Sequence, residues 1–312
     1  MSDLTKRKLT LLDGGIGREL KRIGAPFSQP LWSAQALLEA PHYVTLAHEN
    51  FIQAGAEIIT VNSYACVPFH LGESGYQQQG GELARQAAII ARDVANKASH
   101  PVQVAGSLPP PLGSYRPDLF EQQQALDILT TLFTAQDEHV DLWLAETIAS
   151  IEEAHAVANV LKDSTKPCYY AFTLNDELGE TARLRSGESV SAAIDAMLTQ
   201  TNQTKALQIK DSDGIFFNCS VPEVMEQAIR VTTSLLEKYE SPLNIGAYAN
   251  SFVPITQGHE ANLTTQGARH LSPEEYLVFA KKWQELGANI IGGCCGIEPS
   301  HIQALAEWKN NL

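Results

Sequence analysis

Long apolar runs are missing from this chain. None approaches the ~20 residues a membrane-spanning helix needs, so the expectation is no membrane association. Basic clusters are missing too. Lys and Arg total 22 against 36 Asp and Glu, a formal net charge of -14. A surface of that sign repels phosphate backbones and argues against nucleic acid as a partner. Cysteine is scarce and odd in number, at five. Such usage builds no disulfide scaffold; it fits a reducing compartment in which thiols serve metals or chemistry. No CxxC pair occurs, which disfavours a structural four-cysteine zinc site, and no HxxxH pair occurs either. Residues 1–8 lack the apolar core of a signal peptide, so the expected location is the cytoplasm. No Pro- or Ser-rich linker divides the chain, and residues 1–312 are expected to form one domain.

What is present is a regular alternation. Short apolar, often β-branched runs recur at 9–13, 57–64, 102–106, 140–146, 168–174, 214–219, 243–249 and 288–292. Such runs suit strands buried on both faces. Segments of helical period lie between them, at 44–54, 81–98, 121–139, 151–162, 190–198, 222–239, 273–286 and 299–309. Ser272-Pro273-Glu274-Glu275 carries a cap, a first-turn proline and an acidic first turn. Eight strand–helix alternations predict a (β/α)8 TIM barrel. The competing open, doubly wound sheet usually shows a glycine-rich phosphate turn after its first strand. Asp13-Gly14-Gly15-Ile16-Gly17 is glycine-rich, but its spacing differs and no helix is expected to follow it directly.

Links from strand to helix are long, at 14–43, 107–120, 175–189 and 250–272, whereas most links from helix to strand are short. Long loops usually have a task, and in barrels it is performed at the C-terminal strand ends. Those ends carry Asp13, Asn62, Glu146, Cys219, Asn250 and the pair Cys294-Cys295. Neighbouring side chains in a strand point to opposite faces, so Cys294 and Cys295 reach one ion only where the chain has left strand geometry. Gly292, Gly293 and Gly296 permit that departure. Three thiolates suit Zn2+, with a fourth position open for substrate. For the Cys294-Cys295 pair the alternatives are a vicinal disulfide or simple packing, and Cys66 and Cys168 read as small hydrophobes. Asp13 and Glu146 suit a substrate ammonium group, and the backbone amides of Gly14 and Gly15 its carboxylate.

Asp13-Gly14-Gly15, Pro30-Leu31-Trp32-Ser33-Ala34, Glu146-Thr147, Asn218-Cys219-Ser220 and Gly292-Gly293-Cys294-Cys295-Gly296 resemble the homocysteine S-methyltransferase family. The resemblance runs essentially the whole chain. It implies a (β/α)8 barrel, zinc held by Cys219, Cys294 and Cys295, and homocysteine gripped through its amino group by Asp13 and Glu146. The partners it implies are small molecules: homocysteine and a methyl donor. Pro30 to Ala34 is most similar to the S-methylmethionine branch; S-adenosylmethionine is the next donor, and betaine or a selenol acceptor stands further off. The lack of further domains argues against a cobalamin donor. Trp32 and Tyr64 are candidates to cradle a cationic donor on their ring faces.

Two other readings compete. A lysine Schiff-base barrel needs a lysine at a strand end, and none of the eight runs ends in one. A barrel with a purely structural zinc would need four protein ligands. Oligomeric state is not written in the pattern, because barrel helices are amphipathic either way.

Overall fold

The computed structural model describes residues 7–199, 209–210, 212–256 and 266–312. Most of the 1–8 leader and parts of the expected links over 199–213 and 250–272 lie outside the described residues. Eight strands alternate with helices: β1 (Thr10–Leu11), β2 (Ile58–Thr60), β3 (Gln103–Leu108), β4 (Leu142–Ile148), β5 (Cys168–Phe172), β6 (Gly214–Asn218), β7 (Asn244–Tyr248) and β8 (Ile290–Ile291). All pair in parallel, in the order β1-β8-β7-β6-β5-β4-β3-β2. Between the two ends of that order, Leu12 bridges Ile58 and Asp13 N–H donates to the Ile58 carbonyl at 2.9 Å. The sheet is thus a nearly closed (β/α)8 barrel.

Two apolar layers follow from this closure. Leu12, Ile58, Leu142, Leu144, Tyr169, Phe216, Tyr248 and Ile290 fill the barrel interior. Phe216 stacks on Tyr169 with ring centroids 4.5 Å apart. A Cβ on Gly214 would lie 2.6 Å from the Phe216 ring, so a bare backbone is what admits that ring. The larger layer lies between sheet and helices and includes Phe51, Trp143, Tyr276 and Trp283.

The outer helices are α3 (His42–Gln53), α4 (Pro68–Asn96), α5 (Gln122–Gln136), α6 (Ile151–Val160), α7 (Val190–Leu198), α8 (Pro222–Lys238), α9 (Pro273–Glu285) and α10 (Pro299–Lys309). The Ser272 hydroxyl accepts from Glu275 N–H while the Glu275 carboxylate accepts from Ser272 N–H, a complete capping box for α9.

Three expectations are corrected. The segment after Asp13-Gly14-Gly15 does continue into a helix, α1 (Ile16–Arg22), and the expected 14–43 loop also holds α2 (Ala34–Glu39). Both are under two turns long, too short to establish an apolar period. Helix α4 begins 13 residues before the expected 81, crossing a kink at Gly72, whose φ is +69°. Glycines and glutamines hide any apolar stripe there. Finally, the run expected as strand over 57–64 keeps ladder geometry only through Thr60, and Ser63 N–H already turns back to the Val61 carbonyl.

Tyr276 of α9 ties the helical layer to the end of the barrel. Its buried hydroxyl donates to the Gly292 carbonyl at 2.6 Å and accepts from Ala249 N–H at 3.1 Å. Tyr276→Phe leaves both backbone groups unpaired and is expected to lower the unfolding free energy by about 2 kcal/mol. Urea denaturation checks this; an unchanged midpoint and slope would show that water satisfies those groups.

Candidate active site and metal centre

The strand ends meet around one cavity of about 110 Å3. Asp13, Gly14, Gly15, Trp32, Tyr64, Glu146, Cys219, Cys294 and Cys295 all line it. Asn62 and Asn250 lie outside its wall. Asn62 is buried, with its side-chain amide directed to the Ser33 carbonyl at 3.3 Å. The Asn250 side chain accepts from Phe252 N–H at 3.1 Å and turns the chain after β7.

Local backbone geometry aims the sulfurs. Cys219 follows β6 with φ at +45°, a left-handed conformation unfavourable for a residue with a side chain. Its N–H holds the Tyr248 carbonyl at 3.3 Å. Beyond β8, Gly293 N–H donates to the Asp13 carbonyl and Cys294 N–H to the Ala249 carbonyl, each at 2.9 Å. The 292–296 segment is thereby sewn to the ends of β1 and β7. A Cβ on Gly15 would fall 2.6 Å from the Cys294 carbonyl oxygen. The two glycine-rich segments can lie this close only without side chains.

The sulfurs of Cys219, Cys294 and Cys295 all fall within 4.8 Å of one another. Cys219 and Cys294 form a disulfide, with Cα atoms 5.6 Å apart, and Cys295 remains a thiol. The bridge joins Cys294 to Cys219 and not to its neighbour Cys295, as the vicinal alternative would have it. Barrel closure sets two sulfurs on one spot, and their Cα separation lies inside the range a disulfide spans. Reduced, the trio fits a soft metal: Zn–S bonds of ~2.3 Å in a tetrahedron place sulfurs ~3.8 Å apart. Disulfide and metal are mutually exclusive, because a bridged sulfur is no thiolate.

The carboxylates are held deep in the same cavity. Asp13, 4% exposed, accepts from Thr60 N–H at 2.7 Å and from the Thr60 hydroxyl at 3.0 Å. Glu146, half-buried, accepts from the Ser107 hydroxyl at 2.8 Å. Burial pushes the Asp13 carboxyl up to about 8, against the lowering effect of its Thr60 bonds, with Glu146 adding repulsion. Burial likewise pushes Glu146 up to about 7, partly offset by Ser107. Both acids thus keep their protons to a higher pH than usual, and a bound cation would favour their charged forms.

Aromatic rings form much of the remaining wall. Tyr64 hydrogen-bonds Ser114 at 2.7 Å, and Trp32 packs near His70 with centroids 6.5 Å apart. Burial lowers the His70 imidazole to about 4, so it is neutral. Sequence reasoning missed Tyr115, Tyr248, Phe252 and Ile255, which also line the cavity. Tyr115, Phe252 and Ile255 sit in loops, where no periodic signal marks them. It also missed a hub beneath the wall: the buried Asp176 carboxylate takes Arg185 at 2.8 Å, Val221 N–H at 2.9 Å and Ile255 N–H at 2.7 Å. The Arg185 guanidinium lies 5.2 Å over the Tyr115 ring. One buried ion pair thus joins the loops after β3, β5, β6 and β7.

Three sulfurs and two acids at the C-terminal mouth of a (β/α)8 barrel mark this cavity as the place of an enzyme's chemistry. The homocysteine S-methyltransferase family model matches residues 10–308, and the chain belongs to that methyltransferase family. Among relatives, Homocysteine S-methyltransferase 1 of Brassica oleracea var. italica is 29% identical, over 95% of this chain and 92% of that protein. The Selenocysteine Se-methyltransferase of the same plant is 28% identical over 95% and 87%. In fold, the chain is similar to the homocysteine methyltransferase MmuM of Escherichia coli, solved in metallated and oxidized forms. For both, the TM-score is 0.74 at 24% identity, over 98% of each chain.

The raised carboxyl values carry a stability consequence. In the unfolded chain Glu146 loses its proton near its ordinary 4.5, but in the folded protein only near 7. Between those values the folded state binds more protons, so stability falls as pH rises through the window. Glu146→Gln, which keeps an acceptor for Ser107, should match wild type below the window and become progressively more stable than wild type across it. Urea melts at a series of pH values read this directly. A difference that does not change with pH would mean the carboxyl ionises normally.

Proposed function

We propose that the chain transfers a methyl group from a sulfonium donor, first of all S-methylmethionine, to the sulfur of L-homocysteine, forming methionine. The observation that carries the reading is the convergence of three sulfurs and two carboxylates, one buried and one half-buried, on one aromatic-walled cavity. Cys219, Cys294 and Cys295, when reduced, are the residues to hold zinc. Bound there, zinc supplies Lewis acidity that keeps the substrate sulfur as a thiolate at neutral pH, well below the ~8.5 of a free thiol.

Asp13 and Glu146 take the homocysteine ammonium. Gly15 N–H is already engaged by the Ile297 carbonyl at 3.0 Å, so Gly14 N–H is the better candidate for the carboxylate. Trp32 and Tyr64 face the cavity where a sulfonium would sit. The thiolate attacks the donor methyl, a new S–CH3 bond forms, and the electron pair of the breaking bond stays on the departing sulfur. A thiolate and a sulfonium become two neutral thioethers. Charge disappears on the way to products, so a dry cavity favours the step, and a neutral leaving group needs no general acid.

The test is purified, reduced, zinc-loaded protein with homocysteine and each donor in turn, scored for methionine; S-methylmethionine should give the highest kcat/KM. Betaine outperforming both sulfonium donors would refute the donor choice, and no methionine with any donor the function itself. Selenocysteine in place of homocysteine tests the selenol acceptor suggested by the selenocysteine methyltransferase relative. For the ligand set, reduced protein should bind ~1 zinc per chain and disulfide-bonded protein none. Cys295→Ala should lose zinc and turnover together while retaining its far-UV circular dichroism. Full zinc retention in that variant would remove Cys295 from the ligands.

A further inference from the structure

Tyr248 ends β7 inside the barrel, is 3% exposed, and lines the cavity, yet its hydroxyl has no hydrogen-bond partner among the described residues. An orphaned buried hydroxyl is costly, because it has given up water without gaining a partner. Such groups in a native protein call for a reason. The other wall hydroxyls near the carboxylates are engaged: Thr60 with Asp13, Ser107 with Glu146, and Tyr64 with Ser114. Tyr248 is rigid where it stands. Its backbone pairs with Asn218 in the ladder, its carbonyl holds Cys219 N–H, and its ring packs edge-on to Phe216. The cavity therefore presents a fixed hydroxyl in the same wall as the two acids, without a partner among the described residues.

A primary ammonium bound as R–NH3+ has three N–H donors and no acceptor. Asp13 and Glu146 account for two of them. We infer that the Tyr248 hydroxyl oxygen is the third acceptor for the substrate ammonium, making the homocysteine clamp a three-point site of Asp13, Glu146 and Tyr248. The inference rests on the functional reading above and adds to it a substrate contact. A neutral third acceptor suits the charge balance. Two carboxylates already exceed the single positive charge of the ligand, and a third would add repulsion. Three acceptors around one nitrogen also exclude a methylated amine, which lacks the third N–H. The site should therefore prefer a primary α-amine over its N-methyl derivative.

Tyr248→Phe removes only the hydroxyl. Because that group bonds nothing in the free protein, the urea midpoint should not fall. The expected result, by calorimetric titration of the reduced zinc protein, is a homocysteine Kd raised ~10-fold, with the S-methylmethionine KM unchanged. The decisive comparison uses 4-mercaptobutanoate, which is homocysteine without its amino group. Wild type and Tyr248→Phe should bind it equally, so the loss appears only when the amine is present. Equal losses for both thiols would assign the hydroxyl to the carboxylate or sulfur and overturn the inference, as would an unchanged homocysteine Kd. Wild-type protein that binds no homocysteine brings down the functional reading and this inference with it. Binding and turnover of homocysteine by wild type, with no amine-dependent loss in the variant, brings down the inference alone.

Discussion

The pairing of the first strand, β1, with the last, β8, is the constraint on which everything else depends. Gly293 N–H on the Asp13 carbonyl and the bare Cα of Gly15 against the Cys294 carbonyl let two loop starts share a space that side chains would fill. That approach puts an acid from the first strand and a thiol pair from beyond the last into one cavity. β7 lies between β6 and β8, and its end holds Cys219 through the Tyr248 carbonyl and Cys294 through the Ala249 carbonyl. The sulfur trio is thus a by-product of strand order, not of local sequence spacing.

The proposed reaction would place two opposed electrostatic demands on the cavity. A sulfonium donor and an ammonium are cations and want negative or π-rich walls; a reactive thiolate wants little water. Burying Asp13 and Glu146 costs stability at neutral pH, since both retain protons they would lose in water. The fold tolerates this because Thr60 and Ser107 each donate to the acids from neighbouring strands. Function and stability therefore pull the same two side chains in opposite directions, a common feature of binding sites.

The loops around the mouth are less independent than their length suggests. Asp176 and Arg185 form a nearly dry ion pair whose remaining bonds reach two other loops, while the guanidinium lies over the Tyr115 ring of a third. Removing either partner would strand a buried charge, so the pair acts as a single rigid tie. Tyr115 and Ile255 owe their places in the wall to it. Asn218 plays the same role lower down, exchanging two bonds with Thr147, whose φ is +59° just after Glu146.

The sequence by itself determined the alternation of eight strands and helices, because strand and helix periods are local. It also marked the thiols, the acids and the glycines, because those residue types have narrow uses at strand ends. Helices α1 and α2 and the first half of α4 escaped it, being too short or too polar to show a stripe. Asn62 and Asn250 looked equivalent to the other strand-end residues, yet their side chains serve the backbone outside the cavity. Only the tertiary structure decided that distinction, along with the Cys219–Cys294 bridge, the Tyr115, Phe252 and Ile255 wall, and the unpartnered hydroxyl of Tyr248. Each is set by which loop leans on which across the barrel mouth, and contacts between residues a hundred positions apart leave no periodic trace in the chain.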